Sequence, residues 1–258
     1  MSDERLLYDV ADGIATITLN RPEKRNALDA ATVAALRAAF ARAGADEGVR
    51  VVLLRGAGRD FCAGADLAQM ERLAATGDPL ENLADAAALG DLFVEMRRLE
   101  KPIVAAVHGH AFAGGAGLAT ACDLVVASES AVFGYPEVHL GFVPAMVMTL
   151  LRRVTTERQA FELLARGDRI DAVEARRLGL VNRVFPDATF ESDALEYARE
   201  LATRPPAALR LIKRLLYGID GASFEEGIRR GAELNALARM TEEARAGVRR
   251  FLDQRSKR

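Results

Sequence analysis

The 258-residue sequence predicts an α/β fold with a helical tail. Three observations carry that prediction. To about Phe185, short apolar runs alternate with loops and helix-like segments, which is the pattern of a layered α/β structure. Two of those runs, at Val51–Arg55 and Pro102–Val107, are apolar enough to read as buried strands. From about Asp187 onward no strand signal remains, and helical patterns take over. The strands are short and unevenly spaced, unlike the regular units of a (β/α)₈ barrel. The organisation expected is a core over residues 1–187 and a helical region over 188–258. The apolar positions of that second region need a partner, either the core or another subunit.

The elements follow in order. Arg5–Val10 and Ile14–Leu19 flank Asp12-Gly13, a hairpin signal. NRPEKRNALD is a loop, and Asp29 is placed to cap an Ala-rich helix running to about Gly44. After the strand at Val51–Arg55, FCAGADL is the exit loop. A helical stretch over Leu67–Glu100 is broken near Gly77-Asp78-Pro79. After Pro102–Val107, the segment GHAFAGGAGL leads into a short helix. Leu124–Ala127 and Ala131–Phe133 read as strands. GYPEVHLGFVP is a loop feeding a helix over Pro144–Val154. The tail contains helices at Phe190–Thr203, Pro206–Tyr217, Phe224–Met240 and Glu242–Gln254, and Ser223-Phe224-Glu225-Glu226 spells a capping box.

Composition excludes several classes of function. Lys+Arg is 35 against 37 Asp+Glu, so no broad basic face is available for a nucleic-acid backbone. A small basic pocket for one phosphorylated ligand remains compatible with that balance. The two cysteines, Cys62 and Cys122, argue against a disulfide scaffold and for a reducing compartment. Three histidines and two thiols without H-E-x-x-H give no metal signature. No apolar h-region is visible near the N-terminus, and no apolar run approaches the ~20 residues of a membrane span. The expectation is a soluble cytoplasmic protein.

The candidate chemistry lies in loops. Cys62 has no neighbouring base in sequence to lower its pKa and reads as a small buried residue. The two glycine-bearing exit loops, Cys62–Leu67 and Ala113–Leu118, both follow short strands and lead into helices. Small residues let a ligand approach the main chain, and helix N-termini present unpaired N–H groups. Two such groups converging on one point make an oxyanion hole. GGAGLAT has only part of a dinucleotide fingerprint, lacking its third glycine. Glu137, just after a proline and among apolar neighbours, is placed for desolvation and hence for general acid/base work. His108, His110 and His139 read as surface or structural.

NRPEKRNAL, DFCAGADL, GHAFAGGAGLATACDLVVAS and FGYPEVHLG, in that order and spacing, closely resemble the crotonase (enoyl-CoA hydratase/isomerase) superfamily. GDRIDAVEARRLGLVNRVFP is similar to that family as well. The resemblance implies a spiral of ββα-type repeats with a C-terminal helical region that packs homotrimers or dimers of trimers. It implies an acyl-CoA substrate whose coenzyme A is part of the substrate, with no separate cofactor. The chemistry implied is an enolate held by the backbone N–H groups of Ala65 and Gly114, with Glu137 as catalytic acid/base. Residues implied to hold the CoA are Lys24, Arg25, Ala27, Ala63, Asp66 and Leu67, with Phe251 reaching it from the C-terminal region. Gln254 stands where relatives often carry a phosphate-binding lysine. Some relatives bind RNA, which the near-neutral charge here argues against.

One departure bears on the reaction. Typical hydratases of this family carry a second glutamate three residues after the Gly114 equivalent, where this sequence has Gly117. A single base suits shifting a double bond from the 3- to the 2-position. A branch resembling methylglutaconyl-CoA hydratases also places glycine there. The expected activity is hydration of 2-enoyl-CoA, with Δ3,Δ2-enoyl-CoA isomerisation as the alternative and a CoA-binding subunit without turnover as a third reading. Met146 and Met148 would narrow the acyl pocket, unless they serve only as helix core.

Overall fold

The computed structural model describes residues 5–255. Strands β1 (Leu6–Ala11) and β2 (Ile14–Leu19) form the hairpin, with Ala11 opposite Ile14. Asp12 and Gly13 both take positive φ, 53° and 77°, as a two-residue turn of this twist requires. Helix α1 (Ala30–Ala45) is capped by Asp29, whose side chain accepts the Thr32 N–H. Next come β3 (Val51–Gly56), α2 (Leu67–Thr76), α3 (Pro79–Arg98) and β4 (Ile103–Val107). The break between α2 and α3 falls at Gly77 and Asp78: Gly77 is left-handed and Asp78 caps α3.

The segment read as the exit from β4 contains a further strand, β5 (His110–Phe112), before α4 (Gly114–Ala121). Strands β6 (Leu124–Ser128) and β7 (Val132–Gly134) follow, then α5 (Ala145–Val154). The loop between β7 and α5 is wound into a 3₁₀ turn at Pro136–Leu140. Helix α6 (Glu157–Arg166), strand β8 (Arg169–Asp171), helix α7 (Ala172–Arg177) and strand β9 (Arg183–Phe185) complete the α/β portion. Three-residue strands such as β5 and β8 are too short to show an alternation, so no sequence period announces them.

Strands β1-β2-β3-β4-β6-β9 make one sheet, parallel except for the hairpin, and β5-β7-β8 make a smaller second sheet. The large sheet is covered on both faces, which explains its uninterrupted apolar runs. Val52, Leu54, Ile103 and Ala105 join one core with α1, α3 and α4. Their neighbours Val51, Leu53, Val104 and Ala106 join a second core with Phe190, Ala194, Ala198 and Ala202. Those four are spaced by four along α8 (Phe190–Ala202), so they form one stripe on that helix.

Helices α9 (Pro206–Gly218), α10 (Phe224–Arg239) and α11 (Glu242–Arg255) follow. Ser223 accepts the Glu226 N–H, but the Glu226 carboxylate pairs with Arg230. The expected capping box is therefore only half formed, because the arginine one turn on competes for the same carboxylate. No helix among the described residues is long and apolar enough to cross a membrane.

Only Lys213 of α9 is buried. Its ammonium bonds Asp123 Oδ2 (2.7 Å) and the carbonyls of Met96 and Lys101, and Tyr217 Oη donates to Asp123 Oδ1 (2.7 Å). This network fastens the helical tail to the end of α3 and the start of β6. Losing one partner strands a buried charge, although Asp123 keeps donors from Tyr217 and the Ile103 N–H. Lys213→Met is expected to lower stability by about 3 kcal/mol. Chemical denaturation would read this as a lower midpoint with an unchanged slope.

Candidate active site

Two isolated bridges bring the glycine loops together. Cys62 accepts the Phe112 N–H and donates its own to His110 O, both at 3.0 Å. Two residues on, Leu28 N–H donates to Gly64 O (2.8 Å) and Asp66 N–H donates to Leu28 O (2.9 Å). The Gly64–Ala65 peptide is trans, so the Ala65 N–H points opposite the Gly64 carbonyl, away from Leu28. Gly114 is the first residue of α4, where a helix N–H has no intrahelical acceptor. Its preceding residue, Ala113, is held at φ 52° and donates to Gly134 O (2.9 Å). Among the described residues, neither the Ala65 N–H nor the Gly114 N–H has a hydrogen-bond acceptor.

The two loops touch because their residues are small. A Cβ added to Gly114 would stand 3.9 Å from the Ala65 nitrogen. One added to Gly64, which has φ +94°, would lie 2.8 Å from Ala113 Cβ and 3.2 Å from the Gly114 nitrogen. One added to Gly115 would lie 2.3 Å from the Cys62 carbonyl oxygen. Two unpaired main-chain donors thus sit side by side.

Glu137 leaves the same scaffold. Strand β7 pairs with β5, Gly134 opposite Phe112, and its end anchors the Ala113 N–H. Tyr135 then turns fully into the core, and Glu137 lies in the first turn of the 3₁₀ segment. The Glu137 Oε2 atom is buried without a hydrogen-bond partner. Burial raises the carboxyl above its usual range, outweighing a bond from its own backbone N–H. A carboxylate left unsatisfied in this way is placed to exchange a proton with something the site receives. His139, by contrast, is exposed, with its ring beside Gly167 at the end of α6.

The place of a second acid is filled. A Cβ on Gly117 would lie 2.5 Å from Val147 Cγ2 and 3.4 Å from Phe93 Cζ, and both of those side chains are buried. Met146 packs against the core, 3.6 Å from where a Cβ of Gly90 would be, whereas Met148 is exposed.

The residues assigned to CoA fall into three groups. Lys24 and Arg25 are exposed on the loop after β2, and Ala63 N–H donates to Arg25 O (2.9 Å). Ala27 is buried and its carbonyl accepts from Arg21 (2.8 Å). Asp66 caps α2 by accepting the Ala68 N–H (3.1 Å), and exposed Leu67 starts that helix. Burial alone would raise the Asp66 carboxyl. The Arg21 hydrogen bond and the N–H groups of Gln69 and Ala68 hold it below its usual range instead. Phe251 is exposed on α11, a helix packed on α10. Nothing in the spacing of Arg21 in the sequence indicates that it reaches three acceptors. A cavity of about 570 Å³ lies between α2 and α3 around Gln69, Leu73 and Asp85, apart from the two donors and Glu137.

Cys62 is buried, its thiol contacts Asn26 O (3.1 Å), and burial pushes its pKa to about 12. Burial raises Cys122 as well. Neither thiol is therefore expected to react with a thiol reagent in the native protein at pH 8. Both react once the chain is unfolded, and a time course with and without denaturant checks this.

The fold matches known structures. An enoyl-CoA hydratase from Mycobacterium smegmatis superposes with a TM-score of 0.93 at 34% identity, covering 98% of this chain and 97% of that one. The fold is that of the crotonases. A sequence model described as enoyl-CoA hydratase/isomerase matches residues 9–258. This chain belongs to the enoyl-CoA hydratase/isomerase family, a family of enzymes. A Thermus thermophilus protein, provisionally named an enoyl-CoA hydratase, is 44% identical over 242 residues, 94% of this chain and 95% of its own. The 1,2-epoxyphenylacetyl-CoA isomerase of Escherichia coli is 33% identical over 254 residues, 98% of this chain and 97% of its own.

Proposed function

We propose that this enzyme adds water across 2-enoyl-CoA thioesters. The observation that carries the reading is the desolvated Glu137 carboxyl, its Oε2 buried without a partner, on the scaffold that also sets two free N–H donors side by side. In the proposed reaction the Ala65 and Gly114 N–H groups donate to the thioester oxygen. Water attacks C3 as Glu137 removes one of its protons, and the C2–C3 electron pair moves through C1 onto the oxygen. Glu137 then gives that proton to C2 as the carbonyl re-forms. Every atom of water is thereby added, and no cofactor is consumed. Each donor of such a pair contributes about 3–4 kcal/mol to the transition state.

A second reading is favoured by one observation, the filling of the Gly117 site by Val147 and Phe93. With one acid, water loses a holder, while a double-bond shift loses nothing. In that reaction Glu137 takes a proton from C2 of a 3-enoyl thioester and returns it at C4. A panel of crotonyl-CoA, a branched 2-enoyl-CoA and a 3-enoyl-CoA separates the readings. Loss of the conjugated-thioester absorbance from 2-enoyl substrates supports hydration. A gain of that absorbance from the 3-enoyl substrate alone replaces hydration with isomerisation. Binding without turnover of any substrate overturns both.

Lys24, Arg25, Ala27, Ala63, Asp66 and Leu67 are proposed to line the CoA path, with Phe251 reaching it. Exposed Ile212, Leu216, Phe224, Ile228 and Leu237 support subunit packing through α9 and α10 in a homotrimer or dimer of trimers.

A further inference from the structure

Arg21 joins the loop after β2 to the end of the Cys62–Leu67 loop and has no role in the proton transfers above. Its side chain is only 12% exposed. Nη1 donates to Ala27 O (2.8 Å) and lies 3.1 Å from Asp29 Oδ2, while Nη2 donates to Asp66 Oδ2 (3.1 Å). Those three acceptors frame one short stretch of ladder. Ala27 and Asp29 flank Leu28 on its own side of the bridge, and Asp66 follows Ala65 on the other. Leu28 in turn takes both sides of Ala65, through Gly64 O and the Asp66 N–H. The direction of the Ala65 N–H therefore follows from where Leu28 sits against Gly64 and Asp66, and Arg21 grips the residues on either side of that register. Asp29 and Asp66 also cap α1 and α2, so the guanidinium joins the starts of two helices at the same point.

We propose that Arg21 is a positioning residue for the oxyanion donor at Ala65, acting through Asp66 and through the residues flanking Leu28. The inference rests on the oxyanion-hole reading given above. A planar fork is needed for this task, because three acceptors lie around one guanidinium. A lysine ammonium is a single point charge on a flexible stem and cannot take all three in fixed directions. The bridge at Leu28 is made by main-chain groups, so the chain is expected to fold there without Arg21, but with the residues on either side of Leu28 and Asp66 released, its register loosens and the donor loses its fixed direction. A displacement on the scale of 1 Å costs catalysis up to ~10²-fold.

The test uses the full-length enzyme and butyryl-CoA labelled with ¹³C at the thioester carbon, a ligand with no double bond to hydrate. Infrared difference spectra give the carbonyl stretch, which moves to lower wavenumber when two N–H groups polarise it. Wild type is compared with Arg21→Lys, Arg21→Gln and Asp66→Asn. The last keeps an N-cap side chain on α2 and loses only the ion pair, so it decides the matter if the arginine variants do not fold. In the folded variants the band is expected to return part of the way to its free position. Over Arg21→Lys and Arg21→Gln kcat falls roughly tenfold or more while KM changes little, as for an interaction made in the transition state, whereas Asp66→Asn, at a residue proposed to line the CoA path, is read by the band and kcat alone. A wild-type band that does not move overturns the oxyanion-hole reading itself. A wild-type band that moves, with the full shift and rate retained in folded Arg21→Lys or Asp66→Asn, overturns the positioning role alone.

Discussion

Glu137→Gln is expected to lower kcat by ~10²–10⁴-fold, the range of a lost general acid/base. The amide keeps the shape of the side chain and its single burial site, but it can neither take a proton from water nor deliver one to carbon. In the wild type, kcat/KM should fall as pH drops through the Glu137 pKa, because the carboxylate is the form that accepts the proton. Burial raises that pKa above the ordinary 4.5, so the acid limb lies at higher pH than for an exposed glutamate. The same substitution has the opposite effect on stability. The folded state holds the Glu137 proton more tightly than the unfolded chain does. The fold is therefore undisturbed by this group below pH 4.5 and carries the full cost of the buried charge above the folded pKa. The melting temperature of Glu137→Gln should equal that of wild type near pH 4, exceed it increasingly as pH rises through the folded pKa, and then hold a constant lead. Equal melting curves at every pH would show that the carboxylate is not desolvated. Wild-type turnover in the variant would remove Glu137 from the mechanism.

That an acid is stored unpaired in the fold was partly legible in the sequence, and its causes show what was and was not. The strands of the large sheet could be read because Val51–Leu54 and Ile103–Val107 are apolar on both faces, and helix α8 because its core residues recur every four positions. Glu137 stood out because a charge beside a proline among apolar neighbours is locally anomalous. The two backbone donors could be named only through the family resemblance: an N–H has no letter, and glycine codes for a turn as readily as for a site. What makes them adjacent is long-range. Leu28 meets Ala65 and Cys62 meets Ala111 across 37 and 49 residues of chain. No local period carries such pairings. Arg21 was illegible for the same reason, since its acceptor at Asp66 is 45 residues away. Gly117 reads as a missing acid in the sequence, but the buried Val147 that occupies its space comes from α5 packed over α4, 30 residues along the chain.

Gly115→Ala is expected to damage both fold and chemistry through one added methyl. Its Cβ would lie 2.3 Å from the Cys62 carbonyl oxygen and 2.8 Å from the Cys62 carbonyl carbon. Both are backbone atoms, and that oxygen already accepts the Phe112 N–H in the bridge between the two loops. No side chain can rotate to make room, so the first turn of α4 must move off the FCAGADL loop. Overpacking of this kind costs about 1–3 kcal/mol of stability. The larger effect falls on catalysis. Gly114 supplies one donor from the residue before, and Ala65 supplies the other three residues after Cys62, so the methyl acts as a wedge between the two N–H groups. Loss of one effective donor lowers kcat by ~10²–10³-fold. The loss should fall on kcat with a much smaller change in KM, since CoA is proposed to be held mainly by the loop after β2 and the start of α2. Gly90→Ala serves as the control. It adds the same methyl near the site, but at an ordinary 3.6 Å from Met146, and in a helix interior where alanine is favoured. If Gly115→Ala kept wild-type kcat while its melting temperature fell, the contact with Cys62 would matter for packing only. The two N–H groups would then not need the close approach that this site is built to give them.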